Sequence, residues 1–374
     1  MRKKLSAVIL SALLSLTFLV GCSSGKSVLV FNNAFMGGGE TGVVAKDPPE
    51  GYYETLSYKV FSSDKDYAYK KDSSIKDDVL RYEIAGTYTA ALKVEKALPE
   101  EIAGAVNTDI TLGGKVYKLT TELKLAAKYY LSSKNAEDAP SYEHEDVISS
   151  EIYFLPFSES YAPIYAKSES DYTVVSFGKD AAALSAVKSF SEGKYYGGSY
   201  EIASRAVQYA VPTATSADVK NLEDEELKTA RYDYAYKTVI DNAELLFAIR
   251  NVKVDVDSTF NLPTVSPAYG EATDLAVKNL QEYDDDANFK YNTADFSGKI
   301  KVKELAYYVN SQNNTGSRQL VYVQKSEMKN GEETVIPDRA LPVKMVSPLS
   351  AYGSFSRLGS LVYVLESVEN GNAA

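Results

Sequence analysis

Few residues in this chain have the types and spacing that chemistry requires. His144 is the sole histidine and stands in Glu143-His144-Glu145-Asp146. Any Ser–His–Asp relay would have to run through it, but its polar neighbours predict a solvated loop instead. A site with several histidine ligands is impossible. Asp284-Asp285-Asp286, with Asp295 nearby, offers oxygen ligands. It lacks the alternating spacing and central glycine of an EF-hand and reads as solvated charge. Gly37-Gly38-Gly39-Glu40-Thr41-Gly42 is glycine-rich, but the Lys-Ser/Thr that a phosphate loop needs does not follow. The pairs Tyr129-Tyr130, Tyr195-Tyr196 and Tyr307-Tyr308 can stack on sugars. Adjacent strand residues face opposite ways, so at most one of each pair lies in a core. Two carboxylates for glycoside hydrolysis assemble in space, not in sequence, and nothing singles out a pair. The reading is therefore non-enzymatic, with no catalytic residue, metal site or cofactor.

Cys22 is the exception. It is the only cysteine in the chain and closes Leu19-Val20-Gly21-Cys22. Before it come Arg2, Lys3 and Lys4, then an apolar run from Leu5 to Val20 that is short for a membrane span, which takes about 20 residues. Positive start, apolar middle and small residue before the cut make an export signal. The Cys-terminated end resembles a lipobox, in which the thiol receives a diacylglycerol, with acyl chains of the palmitate kind, and the upstream peptide is removed. Residues 1–21 are thus read as a lipoprotein signal peptide. The mature protein is expected at the cell membrane, lipid-anchored, outside the cytoplasm. Two acyl chains make a stable anchor where one binds only marginally.

Charge agrees with that placement. The chain carries −11 at pH 7, and loss of residues 1–21 removes three bases and no acid, leaving −14. Phosphate contacts need a basic footprint, so nucleic acid is excluded as a partner. Anionic lipid surfaces repel such a chain, so acylation must hold it to the membrane. With Cys22 acylated no intrachain disulfide is possible, and stability must come from a core.

Thirty tyrosines and no tryptophan, with many Val and Thr, favour pleated structure. Residues 22–50 read as a flexible tether, in which Val28-Leu29-Val30-Phe31 is a candidate docked edge strand. Residues 51–370 read as one β-rich domain with a possible break near 215–229, a stretch expected to be an exposed helix or a loop. The clearest strands are Arg81–Lys96 and Tyr117–Tyr129. In the first, Tyr82, Ile84, Tyr88, Leu92 and Val94 share one face; in the second, Tyr117, Leu119, Leu123, Leu125 and Tyr129 do. Charged residues take the opposite face. Strands this long and one-sided predict a large curved antiparallel sheet. Tyr82, Ile84, Tyr88, Leu92, Tyr117, Leu119, Leu123 and Leu125 are accordingly the candidates for lining a ligand groove. The alternation slips phase at Glu304, which predicts a bulge. Val309 and Leu320 bracket a hairpin loop, and Leu361–Val368 is the last strand. Helices are few: a short one capped by Asp241 or Asn242 and carrying Leu245, Leu246, Phe247 and Ile249, and another over Asp180–Phe190 from the three-residue spacing of Leu184, Val187 and Phe190.

The string Asp241–Arg250, then Phe260-Asn261-Leu262, Leu341-Pro342-Val343-Lys344-Met345 and Gly359-Ser360-Leu361-Val362 with Leu365 resembles a family of exported bacterial proteins of unknown function. Gly51–Val60 is similar to that family's opening strand. The resemblance implies a fold similar to the Lol-type lipoprotein carriers, half-open barrels with a helical lid over an apolar groove. It implies no activity. The stretch 130–230 departs from the family pattern.

The expectation is an anchored binding or carrier protein for a lipid or other amphipathic small molecule. A structural or assembly component of the envelope that binds other proteins is the alternative, and a cell-wall glycoside hydrolase is the third.

Overall fold

The computed structural model describes residues 50–64, 66–69, 78–106, 115–130, 141–157, 160–177, 182–196, 198–211, 221–233, 239–250, 254–265, 272–309, 319–330, 333–336, 339–350 and 357–372. Cys22, the tether with Val28–Phe31, and Gly37–Gly42 lie outside the described residues.

The chain is mainly β. In order, its strands are β1 (Tyr52–Ser62), β2 (Asp66–Tyr69), β3 (Asp78–Glu95), β4 (Val116–Tyr130), β5 (Ser141–Phe157), β6 (Ser160–Phe177), β7 (Ala182–Tyr196), β8 (Ser199–Ala210), β9 (Lys228–Asp233), β10 (Ile240–Asp241), β11 (Thr259–Val265), β12 (Thr273–Tyr291), β13 (Ala294–Val309), β14 (Gln319–Gln324), β15 (Met328–Asn330), β16 (Glu333–Ile336), β17 (Pro342–Ser350) and β18 (Arg357–Asn372). Two short helices interrupt them, α1 (Glu100–Ala105) and α2 (Leu245–Arg250). None is long and apolar enough to cross a membrane.

Sixteen strands form one curved sheet. Its path runs β10-β11-β12-β13-β14-β17-β18-β1-β3-β4-β5-β6-β7-β8-β9, with β2 beside β3. β15 and β16 make a separate hairpin. From β3 to β9 the sheet is a meander of antiparallel neighbours. β18 joins the two halves, pairing β1 from Tyr52↔Asn372 to Ser62↔Leu361 and β17 on its other side. β9 and β10 sit at opposite ends of the path, yet Asp233 and Ile240 are seven residues apart. Seven residues span at most about 25 Å, so the ends approach and the sheet curls on itself. β10 indeed packs on β6.

Alternation explains the two clearest strands. Tyr82 faces Tyr129, Tyr88 faces Leu123 and Leu92 faces Leu119 in register, so both apolar sets occupy one face, here the inner one. Gly86 lies where β3 and β4 touch most closely: a Cβ there would fall 1.8 Å from the Lys124 carbonyl oxygen. The phase slip at Glu304 is a bulge, with the extra residue on the partner strand: Asn279 pairs Leu305 and Gln281 pairs Glu304, leaving Leu280 between. β13 and β14 form the expected hairpin, and the last strand is longer than its apolar core, Arg357–Asn372.

Two expectations are corrected. The described part of Asp180–Phe190, from Ala182 on, is not a helix; it belongs to strand β7, whose Ser185–Tyr196 pairs on both sides. The three-residue spacing was coincidental: Leu184 and Ala186 alternate into the core, while Val187 and Phe190 point to opposite faces. His144 is not in a solvated loop but within β5 and half-buried. In the stretch 215–229, Asn221 caps a single 3-10 turn, Leu222–Asp224, and β9 then pairs β8.

Candidate functional site

The inner face of β3–β8 divides into an upper core, a belt and a lower core. Leu92, Tyr117 and Leu119 lie in the upper core with Ile152, Phe154, Ala166 and Ile202. Tyr82, Ile84 and Leu125 lie in the lower core with Val60, Ala127, Tyr129, Val175 and Leu184. The remaining two groove candidates, Tyr88 and Leu123, are half-buried between them.

The belt follows from register. Thr121, Ser150, Ser168, Ser191 and Ser204 are consecutive partners across β4, β5, β6, β7 and β8, so five small hydroxyl residues form one row across the inner wall. All five are half-buried. The Thr121 and Ser150 hydroxyls bond one another at 2.6 Å. In the next row Ser170 and Ser189 do the same at 2.6 Å, beside Leu123 and Ile148. Ile148 is 37% exposed, although it points to the face that carries both cores. Hydroxyls and uncovered aliphatic carbon therefore stand side by side.

Above the belt, α2 enters the upper core. Leu245, Phe247, Ala248, Ile249 and Arg250, five of its six residues, are buried, so its apolar surface rather than its length holds it. Asp241 caps the 3-10 turn Asn242–Glu244 that leads into it, as the sequence predicts. The Ala243 N–H donates to Asp241 Oδ1 at 2.7 Å and the Asp241 N–H to Glu244 Oε1 at 2.8 Å, a complete capping box. The Tyr195 hydroxyl donates to Asp241 Oδ2. Glu244 Oε2 is buried and has no hydrogen-bond partner. Burial pushes Asp241 up to about 6 and Glu244 well above the carboxylate range, with Asp241 adding to the effect.

The other end of α2 is fastened by charge. Arg250 Nη1 donates to Glu54 Oε1 at 2.5 Å, with both side chains almost wholly buried. Its Nε donates to the Ala340 carbonyl at 3.0 Å and its Nη2 to that of Arg339, also at 3.0 Å. Burial alone would lower the Arg250 guanidinium; the Glu54 carboxylate outweighs it and raises it. Tyr52, which accepts from Arg339 at 3.0 Å, is raised to about 12 by burial and by Glu54.

A second polar cluster edges the lower core. The β5–β6 ladder ends at Val147↔Asp171. Beyond it the Thr173 N–H donates to Asp146 Oδ1 at 2.9 Å and the Thr173 hydroxyl to Oδ2 at 2.8 Å, so a side chain replaces the missing ladder partner. His144 Nδ1 bonds Asp146 at 2.8 Å, its Nε2 bonds the Tyr209 hydroxyl at 3.0 Å, and Tyr209 donates to Asp171 at 2.7 Å. The Asp146 hydrogen bond raises His144, against partial burial and Lys188. Two carboxylates and a phenol around one imidazole make a structural clamp where β6 changes the face it turns inward.

Glu122, Ser149, Glu151 and Lys167, together with the belt residues Thr121 and Ser150, border a polar trough of about 500 Å³. Asp284 and Asp286 are exposed on β12, and no group of three or more His, Cys, Asp or Glu among the described residues is placed to hold a metal ion.

Sequence reasoning placed the apolar candidates on the right face but missed the belt and the Glu54–Arg250 pair. Single serines on separate strands give no signal until register is known, and Glu54 and Arg250 are 196 positions apart.

No protein-family profile matches the chain, and no curated protein matches it. Among solved structures, a beta-barrel-like protein of a domain of unknown function, DUF1849, from Brucella abortus is similar at 7% sequence identity with a TM-score of 0.39, covering 87% of this chain and 100% of that one.

Proposed function

We propose that the protein is a lipid-anchored binding protein of the cell envelope, displayed outside the cytoplasm, that holds an apolar or amphipathic ligand on the inner belt of its sheet. The observation that carries this reading is Ile148, 37% exposed on the core-facing side of the sheet beside Leu123 and the Ser/Thr rows. Leaving about a third of such a side chain uncovered forgoes roughly 0.5–1 kcal/mol of burial. A ligand with an acyl or other apolar part would cover Ile148 and Leu123. Its hydroxyl or amide groups would bond Thr121, Ser150, Ser168 and Ser170. By register the first row continues from Ser204 to the exposed Lys228 of β9, so a cation stands at its far end. The lipobox-like Cys22 supports placement at a membrane surface, where such ligands are found.

Native mass spectrometry of the full-length protein after mild extraction tests this. The expected result is a co-purifying small amphiphile that is lost in Ser168→Trp, a change that fills the belt. Repeated recovery of the bare acylated mass contradicts it.

A further inference from the structure

The outer face of the sheet carries an apolar strip where its two halves join. Ala126, Ala85, Phe61, Val362 and Val346 are consecutive partners across β4, β3, β1, β18 and β17. Their chain neighbours Leu125, Ile84, Val60 and Leu361 are buried in the lower core, so by alternation the strip faces the other way. Ala126, Ala85 and Phe61 are exposed, while Val362 and Val346 are half-buried. Phe61 is 36% exposed and Val364, two residues on from Val362, 37%. Four steps between strands make the strip about 19 Å long. Single exposed apolar residues are ordinary; a continuous row of them marks a contact surface.

Lysines border the strip on one side. The next row on the same face reads Lys124, Thr87, Lys59, Val364 and Lys344 across the same five strands. Lys59 stands at its centre, exposed and without a hydrogen-bond or ion-pair partner among the described residues. Lys344 lies over the Tyr322 ring at 5.0 Å, and Lys124 pairs Glu122 at 2.9 Å. Neither row holds a carboxylate on these strands. Carboxylates begin outside them, with Glu145 opposite Ala126 and with Glu83, Glu122 and Glu366 each two residues beyond a member of the rows.

Apolar carbon edged by lysines matches the boundary between acyl chains and phosphate headgroups. Lysine stems lie along apolar surface while the ammonium reaches phosphate. The chain as a whole carries −11 and is repelled by anionic lipid, so local charge selects the face that can come down. A second copy seated on the strip would bring the same lysine row and no carboxylate for it. Thirty positions separate Cys22 from Tyr52, a contour of up to about 100 Å. Phe61 lies about 30 Å further along β1, so the strip can reach the surface that holds Cys22.

We propose that this strip is a membrane-docking face. With Cys22 in the bilayer, Phe61, Val362 and Val364 sit at the acyl–headgroup boundary, and Lys59, Lys124 and Lys344 reach lipid phosphates. The contact is weak by itself, and the anchor supplies the effective concentration that keeps it made. The inference rests on the reading of Cys22 as lipid-anchored and is independent of any ligand on the belt.

The acylated full-length protein on vesicles of phosphatidylethanolamine and phosphatidylglycerol tests it. With Cys22 acylated, Phe61→Cys, Val364→Cys and the control Thr229→Cys, on the exposed strand β9, each offer one thiol for an environment-sensitive fluorophore. The expected result is blue-shifted emission at positions 61 and 364 that is largely lost when the vesicles carry doxyl-labelled lipid, with neither change at position 229. In the wild type, Lys59 loses most of its reactivity toward an amine reagent on vesicles, while Lys228 keeps its own. Emission at 61 and 364 that matches 229 overturns the proposal, as does unchanged Lys59 reactivity; the anchor still stands if the protein floats with the vesicles. Protein that does not float sinks the anchor and this face together. A blue shift that needs no lipid and grows with protein concentration assigns the strip to a second copy and also overturns it. Should the variants fail to fold, the wild-type lysine reactivities decide.

Discussion

The Glu54–Arg250 and Asp241–Glu244 pairs are equally buried, yet they hold α2 in different ways. The first joins opposite charges and adds two carbonyl acceptors for the guanidinium. The second joins like groups and leaves an oxygen without a partner. A buried pair of opposite charges is costly to break because the survivor is stranded, although replacing both partners by apolar groups can be neutral. A buried carboxyl pair without a cation is stable only while protons supply the missing positive charge. The comparison teaches that burial alone does not say whether a fastening is permanent; the sign of the partner does.

The largest effect is expected from breaking the first fastening. Arg250→Met should cost about 3–5 kcal/mol, because Glu54 is left buried and unpaired; Glu54→Leu with Arg250→Met should recover most of it, as measured by urea unfolding at fixed pH.

At the second fastening, the sign follows from direction. Asp241 is raised from 3.8 to about 6, so its contribution is intact below its unfolded pKa and is lost as pH rises through the folded one. The loss is roughly 3 kcal/mol at most and falls between about pH 4 and about pH 7. Asp241→Asn should flatten that part of the stability–pH curve while keeping the cap. Asp241→Ala, which removes the cap, should cost about 1–2 kcal/mol in acid.

A smaller change is expected at the lower clamp. His144 is also raised, by Asp146, so its hydrogen bonds stabilise the fold below its ordinary value and weaken as pH rises past the folded one. His144→Ala should lower stability by about 1 kcal/mol in acid, with the difference from wild type shrinking in alkali and the exchange of α2 amides unaffected.

The smallest effect on stability should come from the belt. Ser168→Val should shift unfolding by no more than about 0.5 kcal/mol, because the site is half-buried and its hydroxyl donates to the Ser149 carbonyl at 3.1 Å. Its effect should appear in ligand retention instead.

How much of this was legible depended on the distance over which each signal acts. Alternation acts within one strand, so β3 and β4 and their inner faces could be read directly. The cap at Asp241 is equally local. β7 was misread because Leu184, Val187 and Phe190 mimic helical spacing when the neighbours of the strand are unknown. His144 was misread because Glu143, Glu145 and Asp146 suggest solvent, while Tyr209 and Asp171, which satisfy the imidazole together with Asp146, come from β8 and β6. The belt is a property of five registers at once. The strings 51–60, 241–250 and 341–345 lie far apart in the sequence. In the fold the first two meet at the Glu54–Arg250 pair, and Ala340, which accepts from Arg250, immediately precedes the third.

The central claim is that the inner belt holds an amphiphile. Its most direct test is photocrosslinking of full-length protein in nanodiscs with a diazirine-bearing acyl amphiphile, mapped by peptide sequencing. The account predicts labels concentrated on the β4 and β5 peptides that carry Leu123 and Ile148, and their loss in Ser168→Trp. Labels confined to the outer face, or spread evenly and indifferent to that substitution, would contradict it.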